Sequence, residues 1–299
     1  MIEFKTPTPA DRSWVTALIG AEGAMGSECN FNNIYLWNRV YGQEIARLGD
    51  RLLVHLKGGR YLFPCGSGDL APAVEALAED AHSRGGKLHF VCLSPEQKAQ
   101  LKELWPDRFE YDCQWDRASW DYIYDVNKLA DLVGKKLHSK RNHIHRFDEQ
   151  FPDWLAEPIT ADNVEECVAM ERVWAAAKAE NGGDETLSEE TISILEALYL
   201  RDELELHGVL IRAAGKVVAF SLGSFTTPEC FDVHYEKAFG EIQGAYPVVN
   251  RELARMIRAQ YPNVKWFNRE DDLGLEGLRK AKLSYYPEIL LEKCSACER

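Results

Sequence analysis

The 299-residue chain lacks any apolar run approaching the length needed to cross a bilayer. Its opening segment, MIEFKTPTPADRSW, lacks the basic-then-apolar order of a secretory signal. Basic residues are in deficit, with 35 Lys and Arg against 48 Asp and Glu, for a formal charge of −13. That balance argues against a surface holding nucleic acid or anionic lipid by overall attraction, so DNA is not an expected partner. The chain has no second CxxC or CxxH pair to join Cys294 and Cys297 in a tetrahedral site of the usual spacing. No metal is therefore expected, and the C-terminal tail is expected to fray. Its eight cysteines sit mostly as single residues within apolar segments, which suits reduced core thiols in a cytoplasmic protein.

What is present is an apolar share of 45% over a length that favours two domains, each able to bury its own core. In the first part, Trp14, Val15, Leu18 and Ile19 share a helical face, and short alternating runs follow. Gly49-Asp50 and Gly58-Gly59 separate these runs as tight hairpin turns. A helix with Ala73, Leu77 and Ala81 inward, the strand KLHFVCL, a helix opened by Ser94-Pro95 and carrying Leu101 and Leu104, and strands near Phe109 and Tyr122 complete it. The second part repeats the order. WLAEPIT reads as a strand, Thr160 or Asp162 as the cap of a long helix, and Ser188 as the start of another. Strands HGVLIRA, KVVAFSLGSF and ECFDVHYEKA follow, then the loop EIQGAYP, a helix from Val248 to about Gln260, and VKWFN, a basic helix and EILLEK. The expected fold is thus α/β with mixed sheets, in two similar lobes at 1–130 and 131–299.

Two segments concentrate polar groups. Asn268, Arg269, Glu270, Asp271 and Asp272 follow a strand at its carboxyl end, where open α/β sheets tend to place ligand groups. After them Leu275, Leu278 and Leu283 form the apolar face of a short helix, leaving Arg279, Lys280 and Lys282 wet or facing an anion. Between the lobes, 135–151 reads as a basic linker helix. Its Lys135, Lys136, Lys140 and Arg141 suit either a polyanion contact or a solvated face. His143 and His145 do not make a metal site, because a spacing of two puts them on different helix faces.

Together KKLHSKRNHIHRF, QGAYPVVNRELA and NREDDLGLEGLRKAKLSYYPEILLEK resemble soluble bacterial proteins related to the C-terminal domain of phosphatidylglycerol lysyltransferase. The resemblance covers most of the chain and is strongest from Asp121 onward. It implies a tandem GNAT-like acyltransferase fold, similar to the Fem-type aminoacyl-tRNA-dependent transferases, and transfer of an acyl or aminoacyl group. In a GNAT-type site, backbone N–H groups at a helix N-terminus hold the pyrophosphate of acyl-coenzyme A. Here the corresponding loop has Gly244, but Glu241 and Tyr246 flank it in place of the usual Arg or Gln and Gly or Ala. Acyl-coenzyme A and aminoacyl-tRNA are both candidate donors, and the degenerate loop favours the second.

Such a transfer needs a base for the nucleophile's proton and donors for the developing oxyanion. Glu236, two residues after His234 on β-period spacing, is the candidate base, with Glu270 as the second carboxylate and Tyr246 as a proton donor. His234, Lys237, Gln243, Gly244, Asn268, Arg269, Asp271 and Asp272 are the candidate substrate contacts. A module on the same scaffold that binds its ligand without turnover is the alternative reading.

Overall fold

The computed structural model describes residues 2–113, 117–180 and 185–299, and of 180 and 185–187 the backbone only. Helices α1 (Arg12–Glu22), α2 (Phe31–Leu36) and α3 (Asn38–Tyr41) come first. Strands β1 (Glu44–Leu48) and β2 (Arg51–Leu56) close on the two-residue turn Gly49-Asp50, with Leu48 opposite Arg51. The short strands β3 (Arg60–Tyr61) and β4 (Cys65–Gly66) both pair with β2. Next are α4 (Leu70–Ser83), β5 (His89–Leu93) and α5 (Pro95–Leu104). A capping box starts α5: Ser94 and Gln97 satisfy each other's backbone N–H groups, and Pro95 occupies the first turn, where no N–H is required. Then come β6 (Phe109–Asp112), β7 (Asp121–Asp125) and α6 (Val126–Asp131).

The basic segment forms a 3-10 turn at Lys135–Leu137 and then α7 (His138–Gln150), with Leu137, Ile144 and Phe147 buried. After β8 (Leu155–Pro158), α8 (Val164–Glu180) and α9 (Glu185–Tyr199) lead to β9 (His207–Ala213) and β10 (Lys216–Thr227). Ala214 and Gly215 join these two strands, both at positive φ, the geometry of a tight turn between twisted strands. The chain ends with β11 (Cys230–Ala238), α10 (Ala245–Gln260), β12 (Trp266–Asn268), α11 (Glu276–Leu283), β13 (Ile289–Leu291) and β14 (Cys294–Glu298). Among the described residues no helix is long and apolar enough to cross a membrane.

Both sheets are mixed. The first runs β1-β2-β3-β5-β14-β6, with β3 and β5 parallel and the other registered pairs antiparallel. In the second, β8 to β11 are successive antiparallel neighbours, β11 and β12 are parallel, and β7 lies beside β12. In each sheet an antiparallel meander leads to a parallel pair bridged by a helix, α4 in one and α10 in the other.

Contacts divide the chain into one unit of 1–123, 270–280 and 289–299 and another of 124–269 and 281–288, where the sequence suggests two consecutive halves. Strand β14 explains part of the difference. The expected frayed tail is a central strand, hydrogen-bonded to β5 on one side and β6 on the other. Its Cys294 and Ala296 join the core of the first unit with Leu53, Tyr61, Leu77, Phe90 and Phe109. The second unit buries Phe220, Phe231 and Phe267 from its strands and Val248, Leu253 and Ile257 from α10. The expected face of α11 holds in part: Leu278 is half-buried, Lys280 is exposed and Arg279 faces the Asp272 carboxylate, but Leu275 and Leu283 are exposed and Lys282 is buried, because its ammonium donates to the Arg269 carbonyl.

Gly244 opens α10 at φ +89°, and a Cβ there would stand 2.3 Å from the His143 carbonyl oxygen and 3.0 Å from the Phe147 Cβ. The glycine thus permits the first turn of α10 to press on α7. Gly244→Ala should lower unfolding free energy by at least about 2 kcal/mol, combining left-handed strain with overpacking. Urea denaturation measures this, and an unchanged midpoint would show that α10 retreats from α7 at no cost.

Candidate functional site

The site begins with a bulge. In the β10–β11 ladder, Leu222 faces Tyr235 and Gly223 faces Val233, so His234 is the extra residue and simple alternation does not carry through it. His234 turns to Ser224, with Nε2 2.8 Å from the hydroxyl, while its Nδ1 lies 3.6 Å from Asp232. Beyond the bulge alternation resumes. Glu236 meets α10 and the residue after β12, whereas Lys237 meets α8 and α9.

On the Glu236 side, Arg269 donates to Oε1 at 2.8 Å and Asn250 to Oε2 at 3.0 Å, so both carboxylate oxygens are engaged. Glu236 and Arg269 are 14% and 11% exposed. The Arg269 guanidinium lies 4.8 Å from the Tyr285 ring centre and 5.7 Å from that of Tyr124. Its backbone is fixed by Lys282, whose own carbonyl accepts from the Tyr124 hydroxyl at 2.8 Å. Lys140 of α7 places its ammonium 4.0 Å from the Tyr285 ring centre. Burial first, and then the charge of Arg269, lower the Lys140 pKa to about 8 against the opposing pull of Glu236. The Arg269 Nη1 is buried and has no acceptor among the described residues. The set therefore offers an amine of lowered proton affinity beside an immobilised cation with an unspent donor.

On the other face, the Lys237 ammonium lies 3.7 Å from the Trp174 ring centre and bonds Glu190 at 2.7 Å. Nearby Glu171 is fully buried, and burial raises its pKa to about 7 although Lys237 and the Thr191 hydroxyl act to lower it. Tyr246 is partly exposed. Burial and the charge of Glu236 raise its pKa, while hydrogen bonds to Ala238 and Trp174 act the other way.

The polar corner after β12 is divided. Asn268 is buried at the end of β12, and Arg269 belongs with Glu236 as described. Glu270, in the first unit, accepts from Asn33 at 2.9 Å, and its backbone carbonyl accepts from the Tyr122 N–H at 3.1 Å. Asp271 accepts from the Leu273 N–H. Asp272 is fully buried and accepts from Tyr122 at 2.6 Å, from Arg279 at 2.8 Å and from the Gly274 N–H at 2.9 Å. Of the basic linker residues, only Lys140 joins Glu236 and Arg269. Arg141 donates to the carbonyls of Leu132 and Gly134, Lys136 lies over the Tyr286 ring, and Lys135 is exposed. Gln243 is exposed in the turn before Gly244.

The sequence reading missed Asn250, Tyr124, Tyr285, Trp174 and Glu171. Tyr285 carried a faint signal as part of the Tyr-Tyr-Pro run after the basic helix. The others look like ordinary core positions until their partners are in place.

The model of the phosphatidylglycerol lysyltransferase C-terminal family matches residues 23–297. The chain belongs to that family. A conserved protein from Bacteroides thetaiotaomicron VPI-5482 is 38% identical, with complete coverage of both chains and a TM-score of 0.93. L-PGS from Bacillus licheniformis is 14% identical, covering 99% of this chain and 93% of that one at a TM-score of 0.68, a likeness of fold. The fold is accordingly the one this family shares with L-PGS. A protein of Mycoplasmoides gallisepticum is 24% identical over 187 residues, and the match spans 55% of that curated relative's length.

Asp272 gives a test of what holds the corner. Burial would raise its pKa, but Arg279, Tyr122 and the Gly274 N–H together bring it down to about 2 from an ordinary 3.8. Its folded pKa is below its unfolded one, so its contribution to stability is complete above about pH 4 and is lost as pH falls through about 2. Asp272→Asn should lower the melting temperature at neutral pH and bring wild type and variant closer together on acidification. A gap that is constant with pH would show that the carboxylate charge contributes nothing.

Proposed function

We propose that the chain transfers an aminoacyl or acyl group from an activated carrier, with aminoacyl-tRNA the favoured donor, at the site formed by Glu236, Arg269 and Lys140. Lys140 carries the reading: an amine with a pKa near 8, next to a fixed guanidinium, is poised to accept a proton close to neutrality. As an acceptor amine or hydroxyl attacks the donor's carbonyl, Lys140 takes the nucleophile's proton and the unspent N–H of Arg269 stabilises the developing oxyanion; the oxyanion then collapses, the bond to the carrier breaks, and the carrier leaves with the proton that Lys140 returns. Glu236 is assigned a different role from the base expected of it. With both oxygens engaged by Arg269 and Asn250, it positions the guanidinium.

The family's name is that of a lysyl transfer, which agrees with an aminoacyl donor. The packing at Gly244 supports the same choice. The His143 carbonyl backs onto the first turn of α10, where a pyrophosphate would need open N–H groups. The exposed Lys135 and Lys136 fit contact with RNA phosphates.

Radiolabelled aminoacyl-tRNAs and acyl-coenzyme A, offered with amine and hydroxyl acceptors that include phosphatidylglycerol vesicles, test the reading. Turnover should rise with pH through about 8, as Lys140 loses its proton. Lys140→Met should lower it about a hundredfold and flatten that limb. Glu236→Gln should act through Arg269, and Arg269→Lys should reproduce its loss. Ligand-induced thermal stabilisation without transfer from any donor would instead support a binding module.

A further inference from the structure

In the first unit, a cavity of about 280 Å³ is lined by Pro95, Lys98, Lys102, Cys113, Glu292 and Cys294, among others. It is remote in sequence from the residues assigned above, and its chemistry differs. The Lys98 ammonium donates to the Cys113 sulfur at 2.8 Å. Lys98 and Lys102, one helical turn apart on α5, also lie 5.7 and 5.0 Å from the Tyr111 ring centre. Cys113 is half-buried, with the Lys98 ammonium against its sulfur and the cavity beside it.

The second sulfur is supplied by the sheet. Strands β6 and β14 pair Tyr111 with Ala296 and Asp112 with Ser295, so the next step of the antiparallel register sets Cys113 opposite Cys294. Directly opposed residues have Cα atoms about 4.5 or 5.5 Å apart, both inside the range that a disulfide spans. Cys113 perturbs the Cys294 thiol as a direct neighbour, and both cysteines are reduced. Burial, and next Cys113, push the Cys294 pKa up to about 12, so Cys294 remains a neutral thiol. One sulfur of the pair accepts a lysine hydrogen bond, and the other is the more buried.

We propose that Cys113 and Cys294 form a peroxide-sensitive pair, with Cys113 the attacking sulfur and Cys294 the resolving thiol. The Cys113 sulfur attacks one oxygen of hydrogen peroxide, the O–O bond breaks, and the departing hydroxide takes the Cys113 proton as water, giving a sulfenic acid. The Cys294 sulfur then attacks the sulfenic sulfur. The S–O bond breaks, and the departing hydroxide takes the Cys294 proton as water. Two thiols are oxidised by two electrons and one peroxide is reduced to two waters. The product is a cross-strand bond tying the C-terminal strand to β6. The pair Cys29 and Cys65, with sulfurs 3.8 Å apart, is an internal control, since both are buried and no cation hydrogen-bonds either sulfur among the described residues.

Treatment of the full-length protein with stoichiometric peroxide, followed by non-reducing peptide mapping, tests this directly. A Cys113–Cys294 linked peptide with loss of two free thiols is expected. Cys294→Ser should leave a Cys113 sulfenic acid that dimedone traps. Lys98→Met should slow iodoacetamide labelling of Cys113 at neutral pH by about tenfold or more, as the ammonium against the sulfur is lost. A Cys29–Cys65 link in its place would overturn the proposal, as would Cys113 labelling that ignores the Lys98 change. The wild-type map needs no variant, so misfolding of a mutant cannot obscure the outcome.

Discussion

The second unit is organised around one charge that cannot stand alone. Arg269 is nearly buried between Tyr124 and Tyr285, and an uncompensated guanidinium in such surroundings costs several kcal/mol, of the order of 3–5 when a partner is removed. Glu236 supplies the counter-charge, and Asn250 engages its remaining oxygen. This fixes the spacing of three elements, because Glu236 lies in β11, Arg269 follows β12 and Asn250 belongs to α10. The parallel pair and its bridging helix, the part of the fold most closely tied to ligand sites in open sheets, are thus held by one ion pair and one amide. Lys140 is then a second cation approaching the same ring, and its lowered proton affinity is the electrostatic consequence.

Much of the fold was legible because it rests on local chemistry. Gly49-Asp50 and Ala214-Gly215 make the turns their dipeptides suggest, and Ser94-Pro95 with Gln97 opens α5 as a capping box. What the residues did not reveal was non-local. Strand β14 is short and lies at the chain's end, so its placement between β5 and β6 depends on hydrogen bonds to residues nearly two hundred positions away. The same limit applies to α11. A pattern of leucines pointed to an apolar face, of which only Leu278 is even half-buried, whereas the Lys282 ammonium reaches the Arg269 carbonyl and is buried.

The site shows the same division. Spacing alone brought Glu236 and Arg269 forward as candidates, because strand ends and polar corners can be read from local sequence. Their partnership could not be read, since 33 positions separate them. Nor could the roles. A carboxylate free to accept a proton and one held by a guanidinium and an amide are identical in sequence. Lys140 illustrates the converse, because it was grouped with Lys135, Lys136 and Arg141 as one basic patch. The fold divides that patch into an exposed stretch, an arginine that holds carbonyl groups at the end of the preceding turn, and one lysine facing the site.

Gly244 links fold to chemistry most directly. In a helix-start phosphate site, a glycine is useful because its missing Cβ lets an anion reach the backbone N–H groups. Here the same missing Cβ is used by the His143 carbonyl of α7, an electronegative oxygen that would repel a phosphate at that point. The packing of α7 on α10 also carries Lys140 to Tyr285 and so to Arg269. One helix docking therefore fills the space beside Gly244 and carries an amine of lowered proton affinity to Tyr285. The motif's departure from the acetyl-coenzyme A pattern and the position of Lys140 have a common structural cause, so an account of donor choice has to explain both together.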